Sequence, residues 1–354
     1  MTRPVVHILF KFMDGPWGGG NQFLKALREY LLQHEVYCEA IQDADVVLFN
    51  SYPFGCEYEL LTRLYAAKRR NPRLLVVHRV DGPIALVRGR DLAIDRFIFD
   101  FNQTLSNGTV FQSGWSRGKC LELGMTPNAF EATILNACDP KWFYPAPANA
   151  PSAKTRIIAT SWSANPKKGF DVYRYLDGHL DFSRYEMTFV GNSPTAFTNI
   201  HHVKPVPSSQ LGDHLRAHDI FITASQDDPC SNSLIEALTC GLPAVGLNSG
   251  GHPEIIGEGG VVFDGTGDVL RRTDEVAADI KRFRARIALP GMEAVGASYY
   301  EFCKTLYEAQ QRAKYKSKPF GLVALARLLA RAYGRQYWDR AARKIAAVAR
   351  HGRQ

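Results

Sequence analysis

Two carboxylates eight residues apart bracket a short polar run in the second half of the sequence. Asp228 precedes the run Ser231-Asn232-Ser233, and Glu236 follows it. Side chains of this kind are typical of a helix N-terminus, whose free backbone N–H groups attract phosphate. Carboxylates on either side of an anion site accept hydrogen bonds from sugar hydroxyls, each worth about 1.5–3 kcal/mol. The spacing therefore indicates a site for a phosphorylated sugar; the alternative is a surface acid, a helix cap and a solvated Glu.

Two further segments have the composition of phosphate-binding loops. Gly18-Gly19-Gly20-Asn21 follows the first apolar run, and glycines there let the backbone approach a diphosphate closely. Lys168 ends the segment 161–168 ahead of a predicted helix, where an ammonium group offsets charge that develops on a leaving diphosphate. The alternatives are a flexible turn for the glycines and an exposed surface lysine.

Three ionisable side chains close an apolar run that begins at Leu74. The run ends in His78-Arg79-Val80-Asp81. Burying ionisable groups at the end of a strand costs free energy unless they are paired or bind a ligand. Ligands of parallel sheets bind at the carboxyl ends of the strands. We therefore expect a functional role for these three side chains. A salt-bridged strand terminus is the alternative.

The elements that position these residues alternate between strand and helix. Most strand candidates are continuous apolar runs, which is typical of parallel strands covered on both faces. Tyr144–Ser152 holds three prolines among small residues and predicts a hinge between two Rossmann-like halves with the ligand in their cleft. The strands are predicted at Val5–Phe10, Val46–Asn50, Leu74–His78, Gly108–Gln112 and Thr133–Leu135 in the first half, and at Ile157–Thr160, Met187–Val190, Ile220–Ala224, Ala244–Leu247 and Val261–Phe263 in the second.

The stretch from Asp228 to Glu254 resembles the donor-site signature of retaining GT-B glycosyltransferases of family four, also called glycosyltransferase group 1. Their pattern is Glu, seven residues and Glu, then an Ala-rich helix, Cys-Gly-x-Pro and Gly-Gly-x-x-Glu. Here Asp228 and Glu236 are followed by Cys240-Gly241-Leu242-Pro243 and Gly250-Gly251-His252-Pro253-Glu254. The glycine loop, the stretch Asn136–Asp139 and the segment that ends in Lys168-Gly169 resemble further parts of this family. The resemblance covers most of residues 1–312.

The resemblance implies an α/β protein with the GT-B fold. Its parts would be an N-terminal acceptor domain over 1–150, a nucleotide-sugar domain over 151–295, a helix over 296–312 that crosses back to the first domain, and a basic helical tail over 313–354. The implied reaction transfers a hexose-like unit from a nucleotide sugar to an acceptor hydroxyl with retention, without a metal or another cofactor. The leaving diphosphate would help to remove the acceptor proton.

Individual roles carry over by position. The resemblance implies that Asp228 and His78 orient the transferred sugar, and that Lys168 stabilises the diphosphate. These three are the expected catalytic residues, and Arg79 and Asp81 are the expected acceptor-binding residues. The expected donor-binding residues, which include Glu236 on the ribose hydroxyls, are Gly19, Gly20, Trp162, Lys168, Asn192, Val206, Ser231, Asn232, Ser233 and Glu236.

Two positions depart from the family pattern. Asp228 stands where the family has Glu, so its carboxylate is on a shorter side chain. Trp162 stands where the family usually has Arg, so one cationic phosphate ligand is missing, or is supplied by Lys167 or from elsewhere. Both departures favour the main alternative, a catalytically inactive GT-B-like protein that binds a nucleotide sugar or a glycan. The choice between UDP and GDP leaves little trace, because the family contacts the nucleobase largely through backbone.

The net charge of +8 is concentrated at one end of the chain. Twelve of the 43 basic residues but only one of the 35 acidic residues follow Gln311, which disfavours a basic groove for nucleic acid in the body. Basic amphipathic helices with aromatic residues are typical of an anionic membrane surface. The alternative is a helix docked on the protein's own body or on a partner subunit. The predicted apolar face of the tail is Leu322, Leu325, Ala326, Leu329 and Tyr333, and its basic face is Arg327, Arg331 and Arg335.

Cysteine usage and the N-terminus favour the cytoplasm. The seven cysteines contain no CxxC pair, so reduced thiols are expected. Met1–Arg3 has no signal-peptide layout, and no stretch approaches the roughly 18 apolar residues of a membrane span. We therefore expect a cytoplasmic protein, peripheral on the inner face of the membrane if the tail binds lipid, that acts on a glycan or lipid-linked acceptor. A dinucleotide oxidoreductase is disfavoured, because Gly18-Gly19-Gly20 lacks the GxGxxG spacing.

Overall fold

The computed structural model describes residues 3–14, 18–145 and 152–334. These residues form two all-parallel β-sheets, each with helices on both faces. The continuous apolar runs become strands because a parallel strand is buried on both faces. Part of the predicted hinge, residues 146–151, lies outside the described ranges.

The first sheet has five strands in the order β1-β2-β3-β4-β5. Tyr37 pairs with Val6 of β1 in a single parallel bridge on the side away from β2, so the chain reverses its winding direction at β1. Ligands of doubly wound sheets bind in the crevice at such a reversal. The strands are β1 Val6–Leu9, β2 Val46–Asn50, β3 Leu75–Val80, β4 Gly108–Phe111 and β5 Glu131–Thr133. The helices between and after them are α1 Gly19–Gln33, α2 Glu57–Arg70, α3 Ile84–Arg88, α4 Leu92–Leu105 and α5 Gly114–Glu122.

The last strand of this sheet is displaced from its predicted position. The sequence predicted Thr133–Leu135, whereas β5 pairs with β4 from Glu131 onward. Ile134 and Leu135 are apolar for another reason. Ile134 packs against the core of the first domain, and Leu135 already packs against a core of the second.

The second sheet has six strands in the doubly wound order β11-β10-β9-β6-β7-β8. Its edge strand β8 was not predicted, because three residues of His-His-Val carry no apolar run. The strands are β6 Thr155–Ser161, β7 Tyr185–Gly191, β8 His201–Val203, β9 Ile220–Thr223, β10 Ala244–Leu247 and β11 Gly260–Phe263. The helices are α6 Phe170–His179, α7 Ser208–Arg216, α8 Asn232–Thr239, α9 His252–Ile256, α10 Val269–Ala278 and α11 Ile280–Ala285.

Helix α12, Met292–Gln311, returns the chain to the first domain. It packs beside α1, and its residues Val295, Tyr299, Cys303 and Leu306 complete one core of the first sheet. A Cβ at Gly296 would collide with the ring of Tyr30, so glycine permits the close approach of the two helices.

The described part of the tail docks on the first domain as well. A helix over 322–334, α13, joins the core formed by α2 and α4 through buried Leu325, Leu328 and Ala332, and Phe320 just before the helix joins the same core. This face is displaced from the predicted one, since Leu322 is 67% exposed. Residues 335–354, which hold the remaining tail residues of the predicted amphipathic pattern, lie outside the described ranges.

Basic residues of the tail contact the body rather than extending from it. Arg331 forms an ion pair with Asp100, and Arg327 donates a hydrogen bond to the Thr104 hydroxyl, so α13 runs antiparallel to α4. Lys318 donates hydrogen bonds to the Gln103 carbonyl at 3.0 Å and to Oδ1 of Asn128 at 2.9 Å. Among the described residues, no helix combines the length and the apolar character that crossing a membrane requires.

Docking of the tail predicts a large difference between two leucines of α13. Replacing the fully buried Leu328 by Ala should lower the free energy of unfolding by about 2–5 kcal/mol, because it leaves a cavity between α13 and the first domain. The exposed Leu322 is the matched control, and Leu322→Ala should change the free energy of unfolding by no more than about 0.5 kcal/mol. Urea unfolding measures both. Equal midpoints for the two variants would contradict the docked tail.

Candidate functional site in the interdomain cleft

A cavity of about 280 Å³ lies between the two domains at the carboxyl ends of their strands. It is bounded by the start of α1 on one side and by the start of α8 on the other. Nine of the residues predicted from the sequence line it: Gly19, Trp162, Lys168, Val206, Asp228, Ser231, Asn232, Ser233 and Glu236.

Two helix N-termini from different domains converge on this cavity. α1 begins at Gly19 and α8 begins at Asn232. A Cβ at Gly19 would occupy the space of the Asn232 side chain, including its Cβ and Cγ, so only glycine allows the domains to meet here. Helix N-termini carry partial positive charge and free N–H groups, and two of them facing one cavity favour a phosphorylated ligand.

Lys168 and Asp228 form an ion pair at the cavity wall, with 2.9 Å between Nζ and Oδ2. Lys168 lies at the end of a single helical turn that Asn165 caps through its side chain, and Gly169 follows with a φ of 75°. Burial alone would raise the pKa of Asp228, but the ammonium of Lys168 holds that pKa below its ordinary value. Asp228 is therefore ionised at neutral pH. Lys168, which was predicted to bind the phosphate, and Asp228, which was predicted to bind the sugar, are therefore paired with each other in this structure.

Glu236 is the second carboxyl group of the cavity, one turn into α8. Burial raises the pKa of Glu236 to about 8, so this carboxyl is largely neutral at pH 7. It also lines a second cavity, of about 420 Å³, that extends between α1 and the segment Ala137–Phe143. Glu236 and Asn232 thus stand between two connected spaces.

Trp162 and Asn192 lie together after neighbouring strands. The Trp162 side chain is 45% exposed at the cavity, and Nδ2 of Asn192 donates a 2.6 Å hydrogen bond to the Trp162 carbonyl. Asn192 itself does not line the cavity. Lys167, the candidate replacement for the missing cation, pairs with Asp227 at 2.6 Å and is not among the cavity-lining residues.

Arg79 is fully buried, and its guanidinium holds polar side chains at the ends of the first sheet's strands. It donates hydrogen bonds to Oδ1 of Asn50 at 2.5 Å, to Oδ1 of Asn136 at 2.8 Å, and to Asp81. It also lies over the ring of Phe23 in α1, 4.7 Å from the centroid. Arg79 cannot contact an acceptor directly, because none of its surface is exposed to solvent.

Asp81 remains partly exposed and faces the glycine loop. A Cβ at Gly20 would lie 3.9 Å from Oδ2 of Asp81. Nδ2 of Asn50 donates to Oδ2 at 2.9 Å, and Gln112 donates to Oδ1. Of the two predicted acceptor residues, Asp81 is partly exposed beside the glycine loop but lines neither cavity, whereas Arg79 lies behind it.

The prediction that His78 reaches the reacting centre is corrected by its position in the core. Its Nδ1 lies 3.2 Å from Oδ1 of Asn102 and its Nε2 lies 3.1 Å from the Ser51 carbonyl, so both ring nitrogens face buried polar atoms of the first domain rather than the cleft. Burial lowers the pKa of His78 to about 4. The cause of the error is the strand boundary. The sequence predicted a strand that ended at His78, whereas β3 continues to Val80 and keeps His78 inside the sheet.

Sequence reasoning missed the residues that connect the two domains. Oδ1 of Asn232 accepts a 3.1 Å hydrogen bond from Asn136 at the end of the first domain. The carboxylate of Glu254 accepts hydrogen bonds from the Gly114 N–H, at 3.1 and 2.9 Å, at the start of α5. Both Asn136 and Glu254 belong to motifs of the family resemblance, and that is the only signal that marked them. Among the described residues, no group of three or more His, Cys, Asp or Glu is arranged to hold a metal ion.

Residues 179–283 match the family model described as "Glycosyl transferases group 1". This match confirms, for the second domain, the resemblance predicted from the sequence. No curated protein matches the sequence significantly.

Solved structures similar to this chain have the GT-B glycosyltransferase fold, and the chain shares that fold over most of its length. Sucrose-phosphate synthase from Thermosynechococcus elongatus is 14% identical, with a TM-score of 0.65 over 87% of this chain and 100% of that one. Anabaena Alr3699/HepE in complex with UDP-glucose is 12% identical, with a TM-score of 0.60 over 87% and 99%. WaaG, a glycosyltransferase involved in lipopolysaccharide biosynthesis, is 12% identical, with a TM-score of 0.60 over 84% and 98%.

The contact between Gly19 and Asn232 predicts that alanine at position 19 holds the domains apart. Rotation of the Asn232 side chain does not relieve the collision, because its Cβ and Cγ also lie in the way. Gly19→Ala should therefore increase the radius of gyration measured by small-angle X-ray scattering. Gly178→Ala in α6 is the matched control, since nothing lies within 4 Å of a Cβ there. The control should keep the wild-type radius and gain about 0.5–1 kcal/mol in stability; identical scattering from both variants would contradict the prediction.

Proposed function

We propose that this protein is a glycosyltransferase that moves a sugar from a nucleotide-sugar donor to an acceptor hydroxyl with retention of anomeric configuration, without a metal or another cofactor. The observation that carries the proposal is the pair of Lys168 and Asp228 in a cavity that two helix N-termini face. An ammonium group, a carboxylate and free backbone N–H groups are together what a diphosphate bonded to a sugar requires.

The diphosphate of the donor is placed between α1 and α8. Backbone N–H groups at Gly19 and Gly20 and those around Ser231 to Ser233 would bind its oxygens, with the side chain of Lys168 alongside. An incoming diphosphate competes with Asp228 for the ammonium of Lys168. Asp228 is thereby freed to accept hydrogen bonds from the sugar hydroxyls.

The reaction breaks the bond between the anomeric carbon and the phosphate oxygen and forms the bond to the acceptor oxygen on the same face. The acceptor proton moves to the leaving nucleoside diphosphate, so no separate base is needed. Lys168 and the two helix N-termini stabilise the negative charge that develops on that diphosphate. Asp81 would hold the acceptor from the first domain. His78 takes no part, because its ring lies in the core.

Glu236 would bind the ribose hydroxyls of the nucleotide. Hydrogen bonds from hydroxyls favour the ionised form of a carboxyl group, whereas burial by itself favours the neutral form. Val206 lines the same cavity, and the base of UDP or GDP would lie beside it. Trp162 offers an apolar surface where the resembled family has a cation.

A second candidate function is a GT-B-like protein that binds a nucleotide sugar or a glycan without transfer. One observation favours it. Among the described residues that line the donor cavity, Lys168 is the sole lysine or arginine, and it is already paired. A leaving diphosphate would then be less stabilised than in the resembled family.

The proposed setting is cytoplasmic assembly of a surface polysaccharide or glycolipid. The seven free cysteines suit a reducing compartment. WaaG, of similar fold, is described as involved in lipopolysaccharide biosynthesis. Contact of the basic tail, residues 313–354, with an anionic membrane stays a prediction; the described portion of that segment docks on the first domain.

Two neighbouring aspartates provide the test of the proposed chemistry. Release of UDP or GDP is measured over a panel of nucleotide sugars, with and without glycan acceptors. Asp228→Asn should lower turnover by about 100-fold or more, because it removes the charge that holds the sugar and balances Lys168. Asp227→Asn is the matched control, since Asp227 pairs with Lys167, does not line the cavity, and has a φ of 53° that Asn tolerates. Full turnover in Asp228→Asn would exclude this site, and tight binding without any turnover in the wild type would support the binding protein.

The raised pKa of Glu236 predicts that donor binding depends on pH. Because the carboxyl is largely neutral below about pH 8 and its ionised form accepts hydrogen bonds more strongly, the donor Kd should rise as the pH falls below 8, by up to about tenfold for each unit. Calorimetric titration with a nucleotide sugar in buffers of different ionisation enthalpy should show about one proton released at pH 7. The Glu236→Gln variant should bind the donor weakly at every pH and release no proton. A wild-type Kd that is constant from pH 6.5 to about 8.5 would disprove this role.

A further inference from the structure

We propose that Asn136 is a positioning residue that couples docking of the second domain to the placement of Asp81. Its amide is 1% exposed and makes hydrogen bonds to both domains. The inference rests on the proposed function where it concerns the acceptor, and on the contacts alone where it concerns the coupling between the domains.

On the first-domain side, Asn136 is connected to Asp81 by two parallel paths. Its Oδ1 accepts a 2.8 Å hydrogen bond from Arg79, and Arg79 donates to Oδ1 of Asp81. Its Nδ2 donates to Oε1 of Gln112 at 2.8 Å, and Gln112 donates to the same oxygen of Asp81. The four side chains form a closed ring, so displacement of Asn136 moves the two side chains that hold Oδ1 of Asp81, whereas Asn50 still holds Oδ2.

On the second-domain side, the same residue makes two contacts at the start of α8. Nδ2 of Asn136 donates to Oδ1 of Asn232 at 3.1 Å, and its backbone N–H donates to Sγ of Cys230 at 3.5 Å. Asn232 in turn packs against Gly19 at the start of α1. The amide is therefore held at once by the acceptor side and by the donor side of the cleft.

The orientation of the amide is fixed by charge. The guanidinium of Arg79 requires an acceptor, so Oδ1 must face it, and Nδ2 must then face Gln112 and Asn232. When the second domain moves away, one N–H of Asn136 loses its protein partner, so the amide is held less firmly. The ring around Asp81 is then fixed by first-domain contacts alone.

This coupling gives the proposed transferase an order of events. Docking of the donor-loaded second domain fixes the position of the Asp81 carboxylate. An acceptor therefore binds productively only after the donor. Arg79 and Asn136 act through Asp81 and touch no substrate.

Hydrogen–deuterium exchange of the ligand-free protein tests the coupling without any assumption about turnover. Asn232→Ala removes the side-chain hydrogen bond from the second domain to the Asn136 amide, at a partly exposed position. Backbone amides at 79–82 in the first domain should then exchange about tenfold faster than in the wild type. Glu254→Ala is the control, because it removes another interdomain contact. It should speed exchange at Gly114–Ser116 and leave 79–82 unchanged. Unchanged exchange at 79–82 in Asn232→Ala, or equal acceleration by both variants, would overturn the proposal.

Transfer kinetics test whether Asn136 acts through Asp81. Asn136→Ala should lower the acceptor kcat/KM about tenfold while the donor Kd stays within about twofold of wild type. On an Asp81→Asn background, Asn136→Ala should have no further effect. An undiminished second loss in the double variant would show that Asn136 does not act through Asp81. If the wild type turns over no donor, the proposed function fails, and the exchange experiment still decides the coupling. If Asn136→Ala does not fold, the exchange experiment still tests the coupling, because it does not use that variant.

Discussion

The buried guanidinium of Arg79 is the interaction on which the arrangement of the cleft depends. A cation withdrawn from water is costly unless polar or charged groups compensate it. Here the two terminal nitrogens of the guanidinium donate to groups at the ends of neighbouring strands and at the exit of the first domain, while Nε has no hydrogen-bond partner among the described residues. The same group lies over Phe23, just inside the helix that starts at the glycine loop. One side chain thus fixes the relation between the first sheet, the start of α1 and the segment that leads to the second domain.

The side chains that line the donor cavity carry almost no net charge. Asp228 is charged but faces Lys168, and Glu236 is largely uncharged because it is buried. The two helix N-termini add partial positive charge without any side chain. A ligand that brings negative charge and hydroxyl groups together can use all of these groups, whereas a simple anion or a neutral sugar uses only part of them.

Local patterns predicted most of the donor side, and distant packing decided the rest. Asp228, Ser231 and Glu236 lie within nine residues, so one loop and one helix turn place them, and spacing is informative. His78 was misplaced because strand length depends on pairing with β2 and β4, which a single run does not show. The tail was predicted as an amphipathic helix, but its partner surface on α2 and α4 lies more than 200 residues earlier. The links through Asn136 and Glu254 join residues 96 and 140 positions apart, a distance that no local pattern can span.

The use of C-terminal helices to complete the first domain has a consequence for synthesis on the ribosome. The cores of the second domain are built almost entirely from one continuous stretch of chain, whereas those of the first need side chains of α12 and α13, near the end of the described residues. The half that is translated first must therefore wait, with apolar surface exposed, while the half translated later can finish folding. Chaperone demand during translation is thus expected to centre on the N-terminal half, and a fragment that stops before α12 would carry the binding surfaces of that half without the core that supports them.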